Sequence, residues 1–267
     1  MNRIRDLDRI RDALRAAAEA IAPFTPGDIE HVTKERRGDP LTEADLAADR
    51  VLRETLPEPG EGWLSEESAD DESRLSCRRV WIVDPIDGTR EFVEGIPEWC
   101  ISIGLLEDDE PVAGGILNPV TEELVLGAVG EGVTYNGEPV RVRDVHDLAG
   151  SEVLASRSEI RRGEWDRYQE EAPFRVMPCG SVAYKLALVA GGRADATWTL
   201  VPKSEWDVAG GAALLRAGGG LVTLRDGTEP SFNQATPTFP NFVAAGERAV
   251  RTLVRDWLAP SDDDGGP

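Results

Sequence analysis

Lysine is almost missing from this 267-residue chain: only Lys34, Lys185 and Lys203 occur, and nearly all other positive charge is arginine. Histidine is as scarce. His31 and His146 adjoin neither a serine elbow nor a cysteine motif, which argues against histidine-based nucleophilic catalysis and leaves both as surface or loop residues. The three cysteines, Cys77, Cys100 and Cys179, are widely spaced with no C-x-x-C pair, so neither a disulfide framework nor a structural zinc site is indicated, and a reducing cytoplasm is the expected setting. No run approaches the roughly 20 apolar residues of a membrane span. The opening stretch, MNRIRDLDRIRDALRAAAEAI, mixes acids with its arginines and lacks the apolar centre of an export signal. No G-x-x-x-x-G-K-[ST] loop is present, and the AGGG at Ala217 to Gly220 ends a helical pattern with no phosphate-binding helix behind it, so nucleotide-cradle readings fail.

Acidic charge, by contrast, is abundant. The 50 acidic against 29 basic side chains give a net charge of −21, which repels nucleic acid polymers and anionic membranes. A small phosphorylated metabolite can still bind if cations meet its charge locally, either metal ions or a few placed lysines and arginines. Acid excess with lysine scarcity also points to a surface adapted to high salt. Activity and unfolding that are indifferent to salt up to molar concentrations would sink that hypothesis.

The length suits one large core or two closely fused ones, since single cores stop growing at roughly 250 to 300 residues. Leu7, Ile10, Leu14, Ala17 and Ile21 recur at helical spacing, predicting an amphipathic first helix. T-E-A-D from Thr42 is a helix start with a capping hydroxyl and an acid three residues on, running to about Leu56 before Pro57 and Pro59. From Val80 the texture becomes short β-type runs separated by Gly, Pro and Asn: VWIVD, WCISIGLLE, PVAGGILNP, ELVLGAV and GVTYNG. These predict a mostly antiparallel sheet. After about His146 strands and helices alternate: SEVLASR and FRVMP as strands, SVAYKLALVAG as a helix, ADATWTL as a strand, WDVAGGAALLRAG as a helix, GLVTL and FVAAG as strands, then a terminal helix to Trp257. Residues 1–147 and 148–260 are therefore read as two halves, with 261–267 a disordered acidic tail.

The stretch V-W-I-V-D-P-I-D-G-T is the most informative in the chain. An apolar strand runs into Asp84, and Pro85 disfavours the α conformation there, so the carboxylate is presented from a strand end. Asp87 follows close enough to share a metal ion, and the Ile86 carbonyl between them is a further hard oxygen of the kind magnesium and calcium prefer. Gly88 and Thr89 open a helix whose free backbone N–H groups suit a phosphate. Alone, this D-x-x-D could be a capped strand-to-helix turn. Glu66 in L-S-E-E-S, Asp45 in D-P-L-T-E-A-D and Asp207 in S-E-W-D-V-A-G-G likewise each have a surface or capping explanation when read singly.

In this order and at these spacings the segments resemble the lithium-sensitive, magnesium-dependent phosphatase superfamily of inositol monophosphatase, bisphosphate nucleotidase and fructose-1,6-bisphosphatase, over Lys34 to about Gly220. The resemblance implies an α+β fold, a layered α-β-α-β-α sandwich, and an enzyme holding two or three Mg2+ ions. One would be held by Glu66, Asp84 and the Ile86 carbonyl, another by Asp84, Asp87 and Asp207. It implies in-line attack by a water that Thr89, Asp45 and Glu66 activate, with no phosphoenzyme. Substrate contacts are expected from Lys34, Gly88, Thr89, Ser181, Lys185 and Lys203. A homodimer is a further expectation, since relatives often dimerise.

For the ester, L-S-E-E, D-G-T-R-E-F, G-S-V-A-Y-K and the E-W-D triplet resemble the CysQ-type 3′(2′),5′-bisphosphate nucleotidases, whereas E-G-I-P-E-W-C-I-S-I-G-L resembles the inositol branch. That branch also carries a ring-gripping glutamate near the place of Thr199. The expected substrate is 3′-phosphoadenosine 5′-phosphate ahead of inositol monophosphate, with fructose 1,6-bisphosphate third. A metabolite-binding regulator without turnover is the non-enzymatic alternative.

Overall fold

The computed structural model describes residues 2–33, 40–144, 149–199 and 201–245. Helix α1 (Arg3–Ile21) buries the stripe Ile10, Ala13, Leu14, Ala17 and Ile21, and Leu7 packs beside it. Two short antiparallel strands, β1 (His31–Thr33) and β2 (Pro40–Thr42), lead into α2 (Glu43–Thr55), which opens on the expected capping box of Thr42 and Asp45. His31 is exposed, while His146, Lys34, the expected terminal helix and the acidic tail lie outside the described residues.

A seven-stranded sheet follows in sequence order: β3 (Gly62–Ser65), β4 (Arg79–Asp87), β5 (Cys100–Glu107), β6 (Glu110–Asn118), β7 (Glu123–Ala128), β8 (Gly132–Tyr135) and β9 (Glu138–Val140). Only the β3–β4 pair is parallel. Helix α3 (Thr89–Glu94) leaves the end of β4.

The second sheet takes its strands from β10 (Glu152–Ser156), β11 (Arg175–Cys179), β12 (Ala196–Thr199), β14 (Leu221–Thr223) and β16 (Phe242–Ala245), in the order β11-β10-β12-β16-β14. The remaining elements of this half are α4 (Arg157–Arg161), α5 (Asp166–Glu171), α6 (Val182–Ala190), α7 (Glu205–Gly218) and a two-residue pair of β13 (Lys203–Ser204) with β15 (Thr238–Phe239). The short helices α4 and α5, separated by Gly163 at φ +81°, were absent from the sequence-based expectation, which ran from one strand to the next. Each is too short for an apolar stripe to repeat.

The layers are thus α1 and α2, the seven-stranded sheet, α6 and α7, the five-stranded sheet, and α4 with α5. Three apolar cores separate them, the outermost built on Trp165 stacked on Trp198. Helix α7 is buried along most of its length because glycines let it sit directly on the first sheet. A Cβ on Gly114 would lie 2.4 Å from the Gly210 carbonyl oxygen, a contact with backbone that cannot swing away. Gly114→Ala is therefore expected to cost about 2–3 kcal/mol, the upper end of overpacking. Urea unfolding checks this, and an unchanged midpoint would show that α7 can retreat freely.

Candidate active site

The close seating of α7 brings its N-terminus to the end of β4, and the carboxylates meet there. Asp84 and Asp87 are three residues apart, so regular strand alternation would aim them at opposite faces. The β4–β5 register removes the conflict: Asp84 pairs with Ser102 and Asp87 with Cys100, so three steps on β4 match two on β5. This bulge falls at Pro85, which has no N–H to give to a ladder, and it turns both aspartates toward one cleft. Glu66 sits just beyond β3, the strand parallel to β4, and ligand oxygens of Glu66, Asp84 and Asp207 all lie within 4.8 Å of one another.

Each acid is oriented differently. Asp87 Oδ2 accepts from Ser181 Oγ at 2.6 Å and from the Ala183 backbone N–H at the start of α6. Asp207 Oδ2 accepts from the Ser204 N–H at 2.8 Å, the capping geometry of α7. Asp84 is 1% exposed, and both of its carboxylate oxygens are buried without a hydrogen-bond partner. Burial, and after it the charges of Glu66, Asp87 and Asp207, push the Asp84 carboxyl well above the usual range. Burial also raises Asp87, against its hydrogen bonds and the nearby Lys185, and lifts Asp207 to about 7 with Asp87 and Glu66 adding to the effect. The unpartnered oxygens of Asp84, set among mutually repelling carboxylates, are a donor set that fits hard divalent cations, because cations would satisfy them and offset the repulsion at once.

Beside the acids, Thr89 Oγ1 lies 3.1 Å from Asp45 Oδ1 and 3.0 Å from the Ile86 carbonyl oxygen. Its one proton can serve either acceptor, and its lone pairs remain to accept a hydrogen bond from water. Asp45 is fully buried and fixed from behind, since its Oδ2 accepts from Thr42 N at 2.8 Å and Thr42 Oγ1 at 2.6 Å. Gly88, at φ +97°, caps α3 where a Cβ would press on the Glu98 carbonyl and on Trp99, so a glycine is needed.

A cleft of about 470 Å3 opens over this group and is also lined by Lys185, Lys203, Arg90 and Arg162. Lys185 is 3% exposed and donates to the Cys179 and Ser181 carbonyls. Ser181, at φ +55°, is occupied with Asp87 and accepts from Tyr184 N, so its hydroxyl orients a carboxylate. Arg90 and Arg162 were not anticipated from the sequence. Arg90 follows Thr89 directly and could have been flagged by that adjacency, whereas Arg162 comes from the unanticipated α4 segment. Thr199 is buried with its hydroxyl donating to Glu159 Oε1 at 2.7 Å. No helix among the described residues is long and apolar enough to cross a membrane.

Comparison with known proteins agrees with this geometry. The family model described as the inositol monophosphatase family matches residues 6–256. Inositol monophosphatase 1 of Solanum lycopersicum is 33% identical over 229 residues, covering 82% of this chain and 84% of its own. Among solved structures, the Thermotoga maritima IMPase superposes with a TM-score of 0.81 at 27% identity over 96% of each chain. CysQ from Bacteroides thetaiotaomicron, a bacterial member of the inositol monophosphatase family, gives 0.76 at 29% identity over 91% of this chain and 97% of its own. A strand-end carboxylate cluster carried by that layered sandwich, with a family match along nearly the whole length, places the chain in the inositol monophosphatase family as a phosphoric monoester hydrolase, in a family that is generally magnesium-dependent.

Proposed function

We propose that this phosphatase acts on small phosphate monoesters that carry a second anionic group, with 3′-phosphoadenosine 5′-phosphate favoured. The observation behind this reading is the cation lining of the cleft: Lys185, Lys203, Arg90 and Arg162 surround a site whose own metals would already neutralise one phosphate. A second phosphate gives those side chains a partner. Inositol monophosphate is the second reading, favoured by the naming of the tomato relative as an inositol monophosphatase. Fructose 1,6-bisphosphate ranks third.

Glu66, Asp84, the Ile86 carbonyl, Asp87 and Asp207 would hold two or three Mg2+ ions. Bound there, the ions supply positive charge against the phosphate oxygens and acidify water. The chain's own groups do the rest. Thr89 Oγ1, its own proton donated to Asp45, accepts a hydrogen bond from the attacking water and so orients it, and Glu66 is the second group that orients it. Gly88 and Thr89 backbone N–H groups face the transferred phosphate, and Lys185, Lys203, Lys34 and Ser181 complete the substrate contacts in this reading. A homodimer, a cytoplasmic setting and an advantage at high salt belong to the same proposal.

Phosphate release from a panel of 3′-phosphoadenosine 5′-phosphate, inositol 1-phosphate and fructose 1,6-bisphosphate, with magnesium at low and high salt, tests it. The expected order in kcat/KM is the one just given. A preference for inositol 1-phosphate would transfer the assignment to the second reading, and absence of release from every ester would favour a binding protein.

A further inference from the structure

Glu66 stands on a half-buried bend leaving the end of β3, and that bend also carries Glu67. Asp84 feels the charge of both glutamates. With no cation present, like charges drive such a turn away from the cleft, and re-forming it on binding would cost conformational entropy. One side chain opposes this. Ser65 Oγ donates to Asp49 Oδ1 at 2.5 Å, and Ser68 Oγ donates to Asp49 Oδ2 at 2.6 Å, so a single carboxylate grips both ends of the turn. The two hydroxyls pass the constraint inward: Glu67 N donates to Ser65 Oγ at 3.3 Å, and Trp63 Nε1 to Ser68 Oγ at 3.4 Å.

Asp49 lies on α2 one helical turn beyond Asp45, the residue that holds Thr89. Helix α2 therefore anchors the supports of two separate site groups, Thr89 through Asp45 and Glu66 through Asp49. From this we infer that Asp49 is a positioning residue that presets Glu66 for the cation site, an inference that rests on the reading of Glu66 as a metal ligand.

The test is Mn2+ uptake by metal-free protein, followed through loss of the free-ion paramagnetic resonance signal, with the metal-free unfolding midpoint measured alongside. Asp49→Ala is expected to weaken uptake about tenfold, the scale of losing a partner that orients a ligand. Asp49→Asn restores most of it, because its oxygen accepts from one serine and its amide donates to the other. The Ser65→Ala/Ser68→Ala pair reproduces the loss without touching Asp49, and adding Asp49→Ala to that pair changes nothing further. Wild-type uptake in Asp49→Ala overturns the inference, as do equal losses in the Ala and Asn variants, which would mark a charge effect, or losses that add. Wild-type protein that takes up no Mn2+ overturns the metal-site reading itself, and the role of Asp49 with it.

Discussion

Asp84→Asn is expected to remove magnesium-dependent phosphate release, by on the order of a thousandfold or more, while making the metal-free protein harder to unfold at about pH 8. The two effects have one cause. Asp84 lies at the centre of the cluster, buried and without a hydrogen-bond donor, facing Glu66, Asp87 and Asp207. An asparagine there removes the titrating carboxyl and offers two N–H donors to the neighbouring carboxylates, so relief of about 1 kcal/mol, some 2–4 °C in a chain of this size, is expected without metal. Activity goes the other way because an amide oxygen is a neutral ligand and cannot help to neutralise two divalent ions. Asp87→Asn separates the effects. Asp87 accepts from Ser181 Oγ and Ala183 N, and an amide placed there either keeps those donors on its one oxygen or sets N–H against N–H. Activity falls again, but stability does not rise. Phosphate release and thermal unfolding in chelator check both variants, and retained turnover in either would falsify the assignment of these aspartates.

Several of these features could be read in the amino-acid order because their causes are local. The capping boxes at Thr42/Asp45 and Ser204/Asp207 are four-residue patterns, and both were found where helix starts were expected. The strand runs from Val80 onward are punctuated by turn residues and became consecutive strands of one sheet. Other features depend on neighbours distant in the chain. The spacing of Asp84 and Asp87 did not reveal that a bulge reverses the alternation and aims both at one cleft, because the bulge exists only in the pairing with β5. The resemblance implied a helical layer between two sheets, but that α6 and α7 fill it was not legible, because close contacts such as Gly114 against Gly210 form only in the fold. Ser181 lines the cleft, and only the fold shows that its hydroxyl donates to Asp87. The lysine scarcity carried more information than its small numbers suggest, since Lys185 and Lys203 both line the cleft.

The same repulsion predicts how pH and magnesium trade places in holding the fold together. Asp84, Asp87 and Asp207 have carboxyls raised by folding, with Asp207 at about 7 against a usual 3.8. A raised carboxyl contributes stability that is complete below its unfolded value and is lost as pH rises through its folded value. Metal-free protein is therefore expected to weaken as pH rises from about 4 through about 7, the usual and the raised values of Asp207. Acids of the opposite kind set the lower limit. Against the pull of burial, hydrogen bonds from Arg9, Trp81, Glu58 N and Arg79 hold Glu61 at about 2, and Arg157 and the Gly180 N–H hold Glu98 below its usual value. Their contribution is present above the unfolded value of 4.5 and is lost as pH falls toward about 2, so the metal-free optimum lies in mildly acidic solution. Magnesium competes with protons for the site carboxylates, which makes the stabilisation it gives small in acid and large in base. Unfolding midpoints across this range, in chelator and in excess magnesium, should diverge as pH rises. Curves that stay parallel, or a metal-free midpoint that climbs toward pH 8, would mean that the cluster is relieved by something other than protons or cations, because the buried oxygens of Asp84 have no hydrogen-bond donor.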